Sequence, residues 1–463
     1  MYRNHNEKTI EGDLFGAFVA AGAVSKANAD DPKKSSLVRC ARTDKGVHAA
    51  GNVISMKLII EDEDIVQKIN ANLSPQIRVW GLERTNGAFS AYQLCDSRIY
   101  EYLIPTHCFL PPHPDSFLGK KLVKLAEEVD DRSGLEERQR EVSSFWSDTE
   151  AQYIAPILDG MDPSTRQLVI SAMHDSTDDE PIDDAEPPSK RSQKRGNRQP
   201  VTDQETDIGS KRKEIVHPEI TDAQDGPPEI EDLASTIEGD AGTAQSKEIP
   251  PLDAAVRQLK NAYIQAKKAY RIHPDRLARV RSSLSRYVGT QNYHNYTIGK
   301  SARDPSAKRV IKSFVVNNTP VIINDTEWLS LKVHGQSFMM HQIRKMVSMV
   351  ALVVRCGCHE GRIQDSYTED RYMIPKAPGL GLLLERPVFD TYNQRLKDDQ
   401  GERLPIDFTK YEKEMEEFKQ REIYERIFRE EEHDNQYIHL PSLCLLTLIW
   451  FVDSIPFSPC MTT

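Results

Sequence analysis

Four chemically capable side chains fall within seven residues of this chain: Arg42, Asp44, Lys45 and His48, in the run Arg39-Cys40-Ala41-Arg42-Thr43-Asp44-Lys45-Gly46-Val47-His48-Ala49-Ala50-Gly51. A free aspartate, with a pKa of about 3.9, is ionised at neutral pH and fit to act as a nucleophile or a base. Gly46 and Gly51 mark backbone where φ is positive or where a side chain would be in the way. Asn52–Ile60 follows as a strand, β-branched at its start and then mostly alternating polar with apolar. A carboxylate on a glycine-punctuated loop beside a strand is well placed for chemistry, because the sheet holds it rigidly. The plainer alternative is a surface loop whose Arg and Asp form a salt bridge, and spacing alone does not separate the two.

Other stretches carry weaker signals. Gly289-Thr290-Gln291-Asn292-Tyr293-His294-Asn295-Tyr296-Thr297 interleaves aromatics with amides, which suits contact with unstacked bases and equally suits a core. A helix over 274–287 sets Arg276, Arg279, Arg281 and Arg286 beside Leu277, Val280 and Leu284. An Arg face over an apolar face fits phosphate contact, or simply a solvated face. Cys356-Gly357-Cys358-His359 is the one cluster with metal-like residues, but it lacks a matching second half, so zinc is the lesser reading there.

Arg42-Thr43-Asp44-Lys45-Gly46-Val47-His48-Ala49 resembles the R-T-D-x-G-V-H-A signature of the tRNA pseudouridine synthase A family. It is closer still to the A-R-T-D-K-G-V-H-A-A-G of the eukaryotic nuclear branch. Three further blocks follow in the family's order: Gly289–Thr297, the Gly335–Val347 run that contains His341-Gln342-Ile343-Arg344-Lys345-Met346, and the closing Ala377-Pro378-Gly379-Leu380-Gly381-Leu382-Leu383-Leu384-Glu385. The matching blocks cover roughly 8–115 and 275–390.

The resemblance implies isomerisation of uridine to pseudouridine in RNA. The N1–C1′ bond breaks, the uracil turns while bound, and C5 bonds to C1′, so no cofactor is required. It casts Asp44 as the catalytic carboxylate, as nucleophile or base. Arg42, with Lys45 beside it, is cast as the group that fills the gap left by the everted nucleotide. Tyr100 is cast as the stacking platform for the target base and Arg344 as an ion-pair partner that orients Asp44. In a strand, residues 42 and 44 would point the same way. Tyr102 extends the face of Tyr100, and His48 is read as structural. Eversion costs a few kcal/mol, and a stacked aromatic returns roughly 1–3 kcal/mol. The resemblance also implies tRNA as substrate, with small nuclear RNA or mRNA as further ones, a nuclear location and a monomer.

Elements to position these groups are legible around them. Thr9 caps a helix with apolar residues at 10, 14, 15, 18 and 19, and a second helix runs over 63–73. Strands are expected at 77–82, 95–104, 308–317 and 327–333, and helices at 120–129, 134–143 and 254–270. Residues 408–432 form a charged helix with Tyr411, Met415, Phe418 and Phe428 on its seam. This order implies an α+β fold with helices packed on a mainly antiparallel sheet. The family form is two RRM-like, ferredoxin-like halves around a central RNA-binding cleft. Family members carry a strand before the first helix, and only eight residues precede it here.

The expected organisation is an N-terminal catalytic half (1–115), connecting helices (116–173), a disordered acidic insert (174–250), a C-terminal half (251–395), a C-terminal helix (396–439) and an atypical apolar tail (440–463). Taken as a whole, a net charge of −11 opposes RNA binding, but its distribution resolves this. Residues 174–250 hold 20 acidic and 9 basic side chains and so carry all of it, while the remainder holds 51 of each sign. Basic clusters at 190–195 and 211–213 within the insert read as a nuclear-import address. Mean hydropathy is −0.57, low for a chain folded throughout. Seven scattered cysteines in no framework spacing imply reduced thiols. No secretory signal opens the chain, and no apolar run reaches the roughly 18–20 residues of a membrane span. Two other functions remain open on sequence alone. One is an RNA-binding pseudoenzyme of the same fold, and the other a hydrolytic nucleosidase that would release free uracil.

Overall fold

The computed structural model describes residues 8–176, 251–397 and 403–438. Helix α1 (Ile10–Ala20) opens on Thr9, whose hydroxyl accepts from the Gly12 N–H at 3.1 Å, one of the donors a helix start leaves over. Its Leu14, Phe15 and Phe18 bury with Ile65 and Ile69 of α2 (Ile65–Ala71). Between these helices lie three two-residue strands, β1 (Val38–Arg39), β2 (His48–Ala49) and β3 (Ile54–Ser55), with β1 antiparallel to β3.

The sequence predicts full strands over 52–60 and 77–82, and the structure shortens both. Beyond Ser55, Lys57 and Ile59 donate one bond each, to Ser35 and Ala23 at 2.8 and 2.9 Å. Residues 77–82 find no ladder partner among the described residues. The Asn70 amide stands in for one, accepting from the Val79 N–H and donating to its carbonyl, both at 2.8 Å. The side-chain alternation survives, since Ile54, Met56, Leu58, Ile77 and Val79 all pack on the cluster of α1 and α2. The apolar pattern therefore holds in the structure. What it does not supply is a neighbouring strand.

β4 (Ser97–Pro105) is the centre of a larger sheet. After it come α3 (Phe117–Glu128) and α4 (Arg132–Gln139), near the expected places. The following α5 (Phe145–Thr149), α6 (Ala155–Asp159) and α7 (Pro163–Ser176) fall in the stretch expected to hold connecting helices, though the sequence gives none of them individual bounds. A π-turn over Glu150–Ile154, together with Gly160 and Pro163, breaks the 3.6-residue apolar period there. Helix α8 (Pro251–Ala269) closes their small core through Leu259, packed with Ile154, Leu158 and Val169. Helix α9 (Pro274–Ser285) leads to β5 (Gly289–Asn292) and the long hairpin β6 (Lys308–Ile323) and β7 (Thr326–Gly335). Asn324 and Asp325, both at positive φ, make its two-residue turn. β6 runs past the expected end because a register shift between Asn317 and Val321 accommodates Pro320. Helix α10 (Gln342–Arg355), the short α11 (Arg362–Asp365), β8 (Leu382–Val388) and α12 (Asp390–Lys397) follow.

The sheet order is β2-β8-β4-β7-β6-β5, parallel only between β2 and β8. The fold is thus mixed α/β. β2 and β4 come from the first 115 residues and β5–β8 from 289–388, so both stretches share this sheet, and only the β1–β3 ribbon stands apart. β4 is buried on both faces. Tyr100 and Tyr102 lie on one face with Val333 and Leu331 of β7, above the core that α9 and α10 fill. Glu101 lies on the other face, covered by α13 (Glu412–Phe418), a π-turn over Lys419–Tyr424 and α14 (Glu425–Asp434). There Tyr424 donates to Glu101 at 2.6 Å, and Phe428 meets Trp328 edge-on at 5.0 Å. The expected C-terminal helix is therefore part of the body.

The predicted acidic insert lies outside the described residues apart from its first three, which end α7; its basic clusters and the 440–463 tail lie outside entirely. Among the described residues no helix is long and apolar enough to cross a membrane.

Candidate active site

The loop that carries Asp44 is pinned at both ends. Cys40 donates to the Val53 carbonyl at 2.8 Å, and the Asn52 amide donates to the Ala41 carbonyl at 3.1 Å. Ala50 donates to Leu384 at 2.8 Å, and β2 pairs with β8, which joins the loop to the sheet edge. Gly46 has φ +80° in the turn that follows Asp44. A Cβ at Gly51 would come within 2.7 Å of Phe408 Cε1, so both glycines are explained. Residues 41–44 are not strand. Arg42 and Lys45 are exposed and make no hydrogen bond or ion pair among the described residues, so the alternative salt-bridged loop is not what forms. His48 points the other way, towards Arg426 and Glu430 of α14, and burial holds its pKa below the usual histidine value.

Tyr100 faces the loop from β4. Phe338 meets its ring edge-on at 5.2 Å. Burial is the main cause that raises its hydroxyl to about 12, and the Asp44 charge is close enough to add to the rise. Arg98, two residues before it, donates to the Cys40 carbonyl at 2.9 Å and the Gln336 carbonyl at 3.3 Å. It thereby ties the root of the Asp44 loop to β4 and to the segment that carries Phe338. Tyr102 is wholly buried and donates to the Pro378 carbonyl at 2.7 Å.

The start of α10 supplies the third side. Arg344 does not pair with Asp44. Its Nε donates to the Ala377 carbonyl at 2.6 Å, and its backbone carbonyl accepts from Ala377 at 3.2 Å, so it clamps the 377–379 turn. Among the described residues the basic side chain within ion-pair distance of Asp44 is His341, with Nδ1 at 3.5 Å from Oδ2. Lys345 donates to the carbonyls of Asn295 and Thr297 at 3.2 and 3.4 Å. Burial, with Lys376 and Arg371 nearby, brings Lys345 down to about 8. Lys376, Arg344 and Lys345 thus gather cationic charge around His341, which neighbours the half-exposed Asp44, and Arg371 lies near Lys345.

A family model described as tRNA pseudouridine synthase matches residues 284–390, the segment that holds Phe338, His341 and Arg344. Over 462 residues the chain is 42% identical to tRNA pseudouridine synthase 1 of Schizosaccharomyces pombe, covering 98% of this chain and 80% of that one. The chain belongs to the tRNA pseudouridine synthase family. A second family member, tRNA pseudouridine synthase 1 of Yarrowia lipolytica, is 42% identical over 93% of this chain and 68% of its own. The tRNA pseudouridine(27/28) synthase of Saccharomyces cerevisiae is 30% identical over 95% of this chain and 93% of its own.

Of the two stretches for which RNA contact was one reading, one is core in this pseudouridine synthase and the other is tied mostly to neighbouring segments. Arg276 is fully buried, paired with Glu141 at 2.8 Å and bonded to Gln139 and the Phe109 carbonyl. Arg279 donates to the carbonyls of Arg138 and Cys358, and Arg286 pairs with Glu360 at 3.3 Å. Three of the four arginines on α9 are therefore ties to neighbouring segments. In the 289–297 block, Tyr293 and Tyr296 are wholly buried beside Tyr287, and Asn295 bonds Ser366, Asp370 and Tyr372. The block is core. Cys356 and Cys358 end α10, where burial raises the Cys358 thiol, and among the described residues no three His, Cys, Asp or Glu side chains converge as metal ligands. The five described cysteines are free thiols.

Arg98, Phe338 and His341 are the site residues that sequence reasoning passed over. Two of them lay inside a block already quoted, but the block points to Arg344 and gives no hint that the start of α10 meets a loop some 300 positions upstream.

Proposed function

We propose that this chain isomerises uridine to pseudouridine in tRNA, with Asp44 as the acting carboxylate. The observation that carries the reading is the meeting of Asp44, Tyr100 and a cluster of cations at one place, in a chain that belongs to this family. Asp44 is exposed enough to meet a ribose, since half of its side chain is open to solvent. Its loop is held by backbone pairing, so the carboxylate is presented without a search over conformations. Tyr100 offers a ring for the uracil, and its protonated hydroxyl adds no negative charge beside Asp44. Arg42 and Lys45 stand free on the open side, suited to fill the stack and to meet phosphates. The remaining N–H groups of Arg344 serve the same polyanion.

The steps balance without a cofactor. The carboxylate acts at the ribose as the N1–C1′ bond breaks, the detached uracil turns on its platform, and C5 bonds to C1′. The C5 hydrogen leaves to solvent, and N1 regains a proton. In the same reading the two stretches 1–115 and 251–395 form RRM-like halves flanking an RNA cleft. The chain acts in the nucleus as a monomer and also accepts small nuclear RNA or mRNA.

The test is release of tritium from tRNA labelled at uridine C5, with the uracil retained on the chain. Asp44→Ala should abolish release, by ~10³-fold or more, and leave tRNA binding within a few-fold. Turnover in that variant near the parent rate would refute the assignment. Free uracil as product would replace isomerisation with hydrolysis.

A further inference from the structure

We propose that His341 is the positioning residue for Asp44: its imidazole, carrying hydrogen on Nδ1, steadies carboxylate Oδ2 so that the other oxygen faces the ribose. The inference rests on the function proposed above.

Three observations bear on it. His341 Nδ1 lies 3.5 Å from Asp44 Oδ2, too long for a made hydrogen bond and short enough to close to one by a small shift of the loop. That nitrogen is shielded from water and has no hydrogen-bond partner of its own. A buried polar atom left this way is costly, and a bond made on substrate binding would recover that cost. The third observation is the backbone. His341 sits at φ +62°, ψ 2°, immediately before α10. A non-glycine side chain is disfavoured in that left-handed region. Strained residues of this kind persist where the surroundings over-determine them, and they cluster at functional sites. The ring does not cap its own helix, although it occupies the capping position. The conformation turns it towards Asp44 instead.

The charged groups around the ring are Lys376 from the turn before β8, Arg344 and Lys345 from α10, and Asp44 from the loop. Burial, then Lys376 and Arg344, hold the imidazole below its ordinary pKa against the pull of Asp44. A neutral ring suits the role, because it can orient a carboxylate by one N–H without neutralising it.

Three substitutions tolerated at positive φ separate this role from a structural one. His341→Asn keeps a donor near the position of Nδ1, His341→Asp has nearly the same shape but offers an acceptor and a like charge, and His341→Gly offers nothing. Tritium release is measured at saturating tRNA and at limiting tRNA, alongside tRNA affinity and thermal melting. The expected order of kcat is parent, Asn, Gly, Asp. Asn should stay within about fivefold of the parent, Gly should lose about 10–100-fold, and Asp should lose more than Gly. KM should move less than threefold throughout, because His341 acts through Asp44. Equal kcat in the Asn and Asp variants would overturn the proposal, as would a Gly variant as active as the parent. Should the Gly variant fail to fold, the Asn–Asp pair decides alone. An inactive parent would instead remove the proposed function, so the two failures are distinguishable.

Discussion

Tyr100 is under two opposed demands. A base has to reach its ring, yet only 9% of the residue is exposed, because Phe338 covers it edge-on. The covering ring already occupies a geometry that aromatic pairs favour, so an entering uracil exchanges one aromatic contact for another. Tyr100→Phe keeps the platform and should hold single-turnover tritium release within a few-fold of the parent. Tyr100→Leu loses stacking of about 1–3 kcal/mol, or roughly 5–150-fold. Because the hydroxyl titrates only near 12, no loss of activity below about pH 11 should trace to Tyr100, and the parent and Tyr100→Phe rate profiles should coincide up to pH 10. Asp44 and Tyr100, which the structure brings near one another, are both legible as candidates, since each sits in a short motif whose chemistry is local. His341 and Phe338 were not, because their meaning depends on which distant loop they face. The orienting partner of Asp44 was assigned to Arg344 for the same reason. A motif gives the residues of a site but not the pairs among them.

At the scale of the element, α9 shows what an amphipathic pattern leaves undecided. Its apolar stripe correctly predicts a helix against the core, and the same pattern puts the arginines on the outward face. The molecule places a layer over that face: Gln139 of α4, Glu141 just after it, and Cys358 beyond the end of α10 accept from those arginines, so Arg276 ends fully buried. A helix face is polar because it meets water, or because it meets the polar edge of another element, and sequence does not distinguish these cases. Arg276→Met should therefore destabilise the fold by about 3–5 kcal/mol, since it strands Glu141, itself only 10% exposed. Urea unfolding measures this directly. The salt dependence of tRNA binding, measured where the variant is still folded, should be unchanged. An arginine on phosphate would instead lower the slope of log K against log salt by about one. The segment 77–82 makes the complementary point: its alternation was read correctly, but a strand also needs a neighbour, and Asn70 fills that place for only one residue.

Across the whole molecule, the joint between the end of β4 and the C-terminal helix sets how stability responds to pH. His107, just past β4, and Glu431 of α14 line one cavity of about 20 Å³. Both are buried, and neither pairs with the other. Burial lowers His107 to about 3, with Lys267, Arg355 and Lys268 adding to the shift. Burial raises Glu431 to about 8, although its carboxylate accepts from the Tyr437 N–H at 3.1 Å. For His107 the unfolded chain binds the proton more tightly, so stability is lost as pH falls from about 6.5 towards 3. For Glu431 the folded chain binds it more tightly. Its contribution is full below about 4.5 and is lost as pH rises through 8. These two groups alone give a plateau between roughly pH 4.5 and 6.5, with stability declining on either side. Lys345, held near 8 where a free lysine titrates near 10.4, adds a change only above that plateau, between about 8 and 10.4, where stability recovers as pH rises. Through Glu431 alone, stability should therefore fall as pH rises from 6.5 to 8. Glu431→Gln keeps an acceptor for Tyr437 and removes the charge, so its melting temperature should gain on the parent progressively from pH 4.5 to 8 and by a constant amount beyond. A gain that is the same at pH 5 and pH 8.5 would mean that the carboxyl is ionised throughout, and that the C-terminal helix seats a charge that its surroundings stabilise.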